Sequence, residues 1–494
     1  MSNQNLCIQK GIIHSHALKI LAVGLGLCAA AGHLAAQVIA TNLYSFSYGT
    51  PSSTNGWYPE AGLVQGRDGN FYGTTSTGGG IQNGGTVFRI SPGGSLTTLW
   101  MFDLRVANGD YDGSNPLAGV VQGSDGNLYG TTSTGGTNED SGTVFQISTG
   151  GSLAILHEFT DLTGDGLAPH AGLVEGSDGY FYGTTTAGGI YTGGAIYRIN
   201  ATGSSYGILY SFTNEPAEAT PRAGLAQGSD GNFYGTTASG GTNGEGTVFQ
   251  FNTNGSLTTL HTFDYNGVNN FDGYTPQAGL VQGSDGNFYG TTYQGGTNGG
   301  GTVFRIDPTG SNYAILYLFN SYTGDGKMPD ARLILGSDGN FYGTTEQGGA
   351  HGGGTVFRIS PSGSYSNLYS FLGNVSNSDG SAPEAGLVQG SDGNFYGTTE
   401  LGGTNDRGNV FKLIVPLNPP ANQISAVAVA GTNVLVTLPS VAAEIYQLQY
   451  RTSLTAGAWA NVEGQVTSIG GPLTVTNFGG FSPSQQFYRL AITP

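Results

Sequence analysis

Cysteine is nearly absent: the two present, Cys7 and Cys28, both fall within the first 36 residues. A disulfide framework is therefore excluded for the rest of the chain, and packing alone must stabilise it. Charge is scarce as well, at 10 % of residues, and it is one-sided, with 32 acidic against 15 basic groups and a formal net charge of −17. Such a balance repels phosphate backbones and anionic headgroups, which argues against nucleic acid as a partner. Beyond residue 36 no apolar run approaches the ~20 residues that span a bilayer, so membrane insertion of the mature chain is not expected. Chemistry-bearing motifs are missing too. There is no Gly-rich phosphate loop leading into a helix, no Gly-x-Ser-x-Gly elbow and no zinc motif. The histidines His157, His170, His261 and His351 show no metal-ligand spacing.

The first 36 residues differ from everything that follows. Lys10 and Lys19 precede an apolar run from Ile20 to Ala31, and Leu34-Ala35-Ala36 offers a small-residue cleavage site before Gln37. This pattern predicts a secretory signal peptide over 1–36 and a secreted or cell-surface protein. Its removal takes away two lysines and no acid, moving the charge from −17 to −19.

What the chain has in abundance is glycine, with 88 Gly beside 27 Tyr and 24 Phe, a composition suited to strands joined by tight turns. One sentence, Ser284-Asp285-Gly286-Asn287-Phe288-Tyr289-Gly290-Thr291-Thr292 in its clearest copy, recurs around Asp68, Asp125, Asp178, Asp230, Asp285, Asp338 and Asp392, at steps of 57, 53, 52, 55, 53 and 54 residues. Each unit holds four strand-like segments; in the fifth these are 278–282, 287–292, 302–306 and 313–319, with Asp285-Gly286 as a hairpin signal between the first two. Four strands repeated seven times predict an all-β, seven-bladed β-propeller over residues 37–415. The outer strand carries a Leu-x-x-Phe motif that follows six of the units and is missing after Asn409-Val410-Phe411-Lys412. It occurs instead before the first unit, at Leu43-Tyr44-Ser45-Phe46. The N-terminal segment is therefore expected to supply the outer strand of the last blade and close the ring.

The repeat ends at a linker, 416–422, containing Leu417-Asn418-Pro419-Pro420. Alternating apolar segments over 423–494 then predict a small β-sandwich similar to fibronectin type III, with Trp459 in its core. The long repeated phrase, Ala-Gly-Leu-Val-Gln-Gly-Ser-Asp-Gly-Asn-Phe-Tyr-Gly-Thr-Thr followed by Gly-Gly and Gly-Thr-Val-Phe, resembles over residues 61–415 the GloVer tandem-repeat proteins. Those are bacterial proteins predicted to be exported and called "choice-of-anchor" for their differing C-terminal attachment segments. The resemblance implies export, and it brings no catalytic residues.

In an antiparallel four-stranded blade the first-to-second and third-to-fourth turns share one end. The second-to-third loops and the blade-to-blade crossovers share the other, and these vary, which makes that face the candidate binding face. The residue after each crossover proline reads Glu60, Leu117, His170, Arg222, Gln277, Asp330 and Glu384, expected to ring the mouth of the central channel. A second set, directly after Gly-Thr-Thr, reads Ser76, Ser133, Thr186, Ala238, Tyr293, Glu346 and Glu400. Together these leave blades six, seven and one acidic, opposite His170 and Arg222. Asp-Gly pairs at Asp112, Asp165, Asp272, Asp325 and Asp379 read either as turns or as oxygen ligands for Ca²⁺, with Asp110 and Asp112 the candidate pair. No cofactor is required by the turn reading.

Three functional readings follow. The first is a secreted, monomeric, non-enzymatic scaffold that binds an extracellular polysaccharide or cell-surface protein through Glu60, His170, Arg222, Gln277, Tyr293, Asp330, Glu346, Glu384 and Glu400. The second is a glycan-active hydrolase or lyase using two of Asp330, Glu346, Glu384 and Glu400, which needs carboxyl groups separated by about 5 to 10 Å. The third is a purely structural cell-surface spacer.

Overall fold

The structure is a computed structural model. It describes residues 38–47, 55–80, 83–102, 112–136, 141–160, 162, 164–213, 218–264, 272–320, 324–373 and 379–415, with the strand segments between 426 and 493. The segment expected to be a signal peptide, the linker, Trp459 and Asp110 lie outside the described residues. The chain divides into two compact units, one of which is Val38–Val415.

Val38–Val415 is a seven-bladed β-propeller of antiparallel four-stranded sheets. In blade five the strands are Val281–Gln282, Phe288–Thr292, Thr302–Ile306 and Tyr313–Leu318, from axis to rim. The innermost strand pairs over two residues instead of the expected five. Its first half, Ala278-Gly279-Leu280, is spent on contact with neighbouring blades: a Cβ added to Gly279 would lie 2.9 Å from the Gly224 carbonyl oxygen of blade four. The same approach links Gly62 to Gly386, joining blade one to blade seven.

The Phe-Tyr dipeptide of the second strand, replaced by Leu128-Tyr129 in blade two alone, explains how blades adhere. Adjacent strand residues face opposite sides of a sheet, so Phe288 meets Tyr234 of blade four, with ring centroids 3.9 Å apart, while Tyr289 meets Phe341 of blade six at 3.9 Å. Tyr396 and Phe71 complete the cycle between blades seven and one at 4.1 Å. All these rings are fully buried, each contributing roughly 2–3 kcal/mol of apolar burial. The tyrosine hydroxyl then turns to the hairpin. Tyr289 Oη donates to Asp285 Oδ2 at 2.8 Å, and the other Asp oxygen accepts the Asn287 backbone N–H at 3.2 Å. All seven turns repeat the Tyr-to-Asp bond, so the Ser-Asp-Gly-Asn phrase is architectural.

The ring closes as expected. Ile39–Ser45 pairs antiparallel with Asn409–Ile414, Phe46 N–H donates to Gly408 O at 2.9 Å, and the Phe46 ring is fully buried beside Phe88. In the C-terminal unit, Ala426–Ala430, Asn433–Ser440 and Gly471–Asn477 form one antiparallel sheet. Ile445–Arg451 pairs with Ala460–Asn461, Val466–Thr467 and Phe487–Thr493 in another.

Because Phe46 closes the ring, Phe46→Ala is expected to destabilise the propeller by about 3–5 kcal/mol, as much as the equivalent Phe263→Ala inside a continuous blade. Equilibrium denaturant unfolding of the two variants checks this; a negligible effect at Phe46 would mean that the closing strand is dispensable.

Candidate ligand site at the channel mouth

Each crossover reaches the mouth through a strained hinge. The residue before the crossover proline adopts a left-handed conformation in every blade, at Tyr58, Asn115, Ala168, Thr220, Thr275, Met328 and Ala382, with φ between 51° and 59°. Non-glycine residues pay for this conformation with about 1–2 kcal/mol, and a following proline disfavours helical geometry further. Two backbone bonds hold each hinge. The N–H of Thr275 donates to Glu245 O of the preceding blade at 2.9 Å, and its carbonyl accepts the Tyr293 N–H at 3.1 Å. The hinge thus ties the residue after the proline to the residue after Gly-Thr-Thr, and the two expected sets converge on one rim. Around them the crossovers pair with the second-to-third loops, as in Gly326–Lys327 with Gln347–Gly348, a contact that sequence periodicity does not register.

The variable residues are linked to one another. Ser76 Oγ donates to Glu60 Oε1 at 2.6 Å, Tyr293 Oη to Glu346 Oε2 at 2.7 Å, Gln347 Nε2 to Glu346 Oε1 at 2.9 Å, and Arg222 Nη1 to Gln277 Oε1 at 2.9 Å. Glu384 and Glu400 interact directly with each other. Most of these side chains are half-buried; Arg222 is exposed.

Their electrostatics follow from burial among like charges. Burial first, then Glu346, pushes the Asp330 carboxyl up to about 6, with Arg222 pulling the other way. Burial, Glu400 and Asp330 hold the Glu384 carboxyl well above its ordinary value. Glu400 and Glu60 are raised by the same desolvation, and His170 is lowered by burial and by Arg222. Protonated carboxyls become donors as well as acceptors, so near neutral pH this arc presents mixed hydrogen-bonding chemistry.

The crossover aspartates have a different part, which sequence reasoning missed. Asp112 is buried and accepts from Trp100 Nε1 at 2.8 Å; Asp325 accepts from Tyr317 and Tyr365 hydroxyls at 2.7 and 2.9 Å; Asp379 accepts from Tyr369 Oη at 2.7 Å. His261 Nε2 lies 3.1 Å from Asp272 and His157 Nε2 lies 3.3 Å from Asp165. The two histidines stack on Tyr313 and Tyr206 of the next blade, at centroid distances of 3.7 and 3.5 Å. These carboxylates pin five of the crossovers to the outer strand before them. The signal was present as a recurring Trp, His or Tyr directly after the Leu of Leu-x-x-Phe.

A closed ring of seven four-stranded blades, with invariant turns on one face and a variable polar rim on the other, defines a seven-bladed β-propeller protein with a candidate site at its channel mouth. The chain belongs to the Gloeobacter/Verrucomicrobia repeat family, whose repeat pattern matches residues 103–282 and 265–425. No curated protein matches the chain. Among solved structures the chain is similar to the periplasmic gluconolactonase of Pseudomonas aeruginosa, with 18 % identity over 72 % of this chain and 88 % of that one, at a TM-score of 0.42. It is similar also to an oligogalacturonate lyase in complex with manganese, with 11 % identity, 76 % and 93 % coverage and a TM-score of 0.43. A fungal alcohol oxidase in complex with copper gives 13 %, 89 % and 95 %, and 0.45.

Two outcomes are expected from the site geometry. The folded pKa of Asp330 lies above its ordinary 3.8, so between about pH 4 and 6 the native state holds more protons than the unfolded chain and stability falls as pH rises. Asp330→Asn should flatten that slope and raise stability at pH 7 by about 1 kcal/mol, read from thermal melts between pH 4 and 8. Thr275→Gly, at φ 53°, should stabilise by about 0.5–1 kcal/mol, since relief of strain exceeds the added unfolded-state entropy; a drop in melting temperature would refute the hinge as a strained element.

Proposed function

We propose that this protein is a secreted, non-enzymatic scaffold whose crossover face binds an extracellular polysaccharide at the channel mouth. The observation that supports this most directly is the contrast between blades: architectural residues are nearly identical seven times over, whereas the rim set by the hinges differs in every blade. The rim offers carboxyl, amide, imidazole, guanidinium and phenol groups at Glu60, Gln277, His170, Arg222 and Tyr293. Such convergent donors and acceptors suit a hydroxyl-rich ligand, with Tyr293 available to lie against a sugar ring. The acidic arc disfavours polyanions. The C-terminal unit, read as a fibronectin type III-like sandwich, would space or retain the propeller at the cell surface.

Glycan-array screening of the mature protein, followed by calorimetric titration of any hit, tests the reading. Glu384→Ala and Arg222→Ala, on opposite sides of the mouth, should each weaken binding by about tenfold, equivalent to ~1.4 kcal/mol. Binding unchanged in both variants would remove the mouth from the function, and a panel with no hits would overturn the polysaccharide reading.

A further inference from the structure

The inner ring is broken at one blade. Six blades carry glycine directly after the inner alanine, and an added Cβ there would come within 2.5 Å of a neighbouring carbonyl oxygen at Gly119 and within 3.1 Å at Gly386. Blade six instead carries Arg332. Its side chain runs along the lumen, the Cδ passing 3.7 Å from the Cβ position of Gly279 in blade five. It is accessible to water there, yet the enclosing blades lower its pKa by desolvation.

Two regular bonds are lost where this strand meets blade five. Elsewhere the second-strand threonine donates to the next blade's inner alanine carbonyl, as Thr236 Oγ1 does to Ala278 O at 3.0 Å and Thr344 Oγ1 to Ala385 O at 2.9 Å. At this seam Thr291 Oγ1 is buried with no hydrogen-bond partner among the described residues. Elsewhere the turn backbone N–H donates to a side-chain oxygen of the next inner strand, as Ser229 N does to Gln282 Oε1 at 2.9 Å. Leu335, which offers no acceptor, occupies that position in blade six. Arg332 thus replaces a glycine that close packing favours, beside a weakened seam, and its guanidinium has neither a carboxylate nor a hydrogen-bond partner among the described residues. A salt bridge does not account for it, and neither does packing.

We propose that the Arg332 guanidinium is an oxyanion site inside the central channel, taking the carboxylate or phosphate group of a small ligand. A guanidinium presents a planar fork of donors that matches either group bidentately, and the glycine walls beside it leave room for the anion to approach. In a chain of net charge −17, an unneutralised cation in the lumen selects for one small anion and against a polyanion. This site lies deeper than the polar rim and does not depend on polysaccharide binding there.

Calorimetric titration and thermal melts of the mature protein with inorganic phosphate and, separately, succinate, at constant ionic strength, test the site. Either anion should raise the melting temperature saturably, and the anion that does so identifies which group is taken. Arg332→Gly restores the residue of the other six blades, so it should fold and melt at or above the wild-type temperature while losing the anion effect. Arg332→Lys should keep a response weakened by about tenfold or more. No saturable response to either anion in the wild type, or an equal response in Arg332→Gly, would overturn the proposal.

Discussion

The contact on which this propeller depends is the approach of one inner-strand carbonyl to the glycine of the next blade. Blades are wedges, and their narrow ends meet around the axis, where a Cβ at Gly119 would stand 2.5 Å from Gly62 O. Glycine at that position allows the inner strands to close into a ring; the widening space outside it can then be filled by the Phe-Tyr pairs and, at the rim, by Leu-x-x-Phe. Every other regular feature is a consequence of that radial gradient. Small residues sit inside and bulky ones outside, and each tyrosine hydroxyl is left where it can hold the hairpin aspartate.

On that frame, two devices carry the variable residues. The crossover aspartates are fastened to the outer strand by Trp100, His261, Tyr317 and their counterparts, and the left-handed hinges direct the chain back over the axis. Strain that would be unfavourable in isolation is tolerated because two backbone hydrogen bonds close around each hinge. The rim groups therefore start from restricted positions, and the crowding of Asp330, Glu346, Glu384 and Glu400 is imposed by the scaffold. The raised proton affinities of Asp330, Glu384 and Glu400 are what burial of like charges produces.

Much of the architecture was legible in the sequence because it is written seven times. Four strands per unit, the count of blades and the closing strand at Leu43–Phe46 all follow from period and order, and the structure agrees. The rim was legible in outline for the same reason: a repeated frame makes its exceptions visible, so Glu60, His170, Arg222 and Asp330 could be picked out by position. Their partners could not. Nothing in the spacing of Tyr293 and Glu346 indicates a hydrogen bond, because the two belong to adjacent blades 53 residues apart. The Asp-Gly pairs read as turns or as ion ligands in the sequence, because spacing does not reveal their donor, an aromatic on the preceding outer strand.

The sequence by itself determined the class of fold, the family and the division between repeated and variable positions, since these depend on periodicity, which is a property of the chain. Only the tertiary structure decided which side chains meet, because propeller contacts are made between blades rather than within them. Hinges at Thr275 and Ala382, the paired carboxyls of Glu384 and Glu400, and the broken seam at Thr291 all arise there. Arg332 illustrates the difference most sharply. In the sequence it is one irregular letter among seven copies, whereas around the axis it is a cation in a ring of glycines, because ring closure brings to one point residues that the chain keeps more than 50 positions apart.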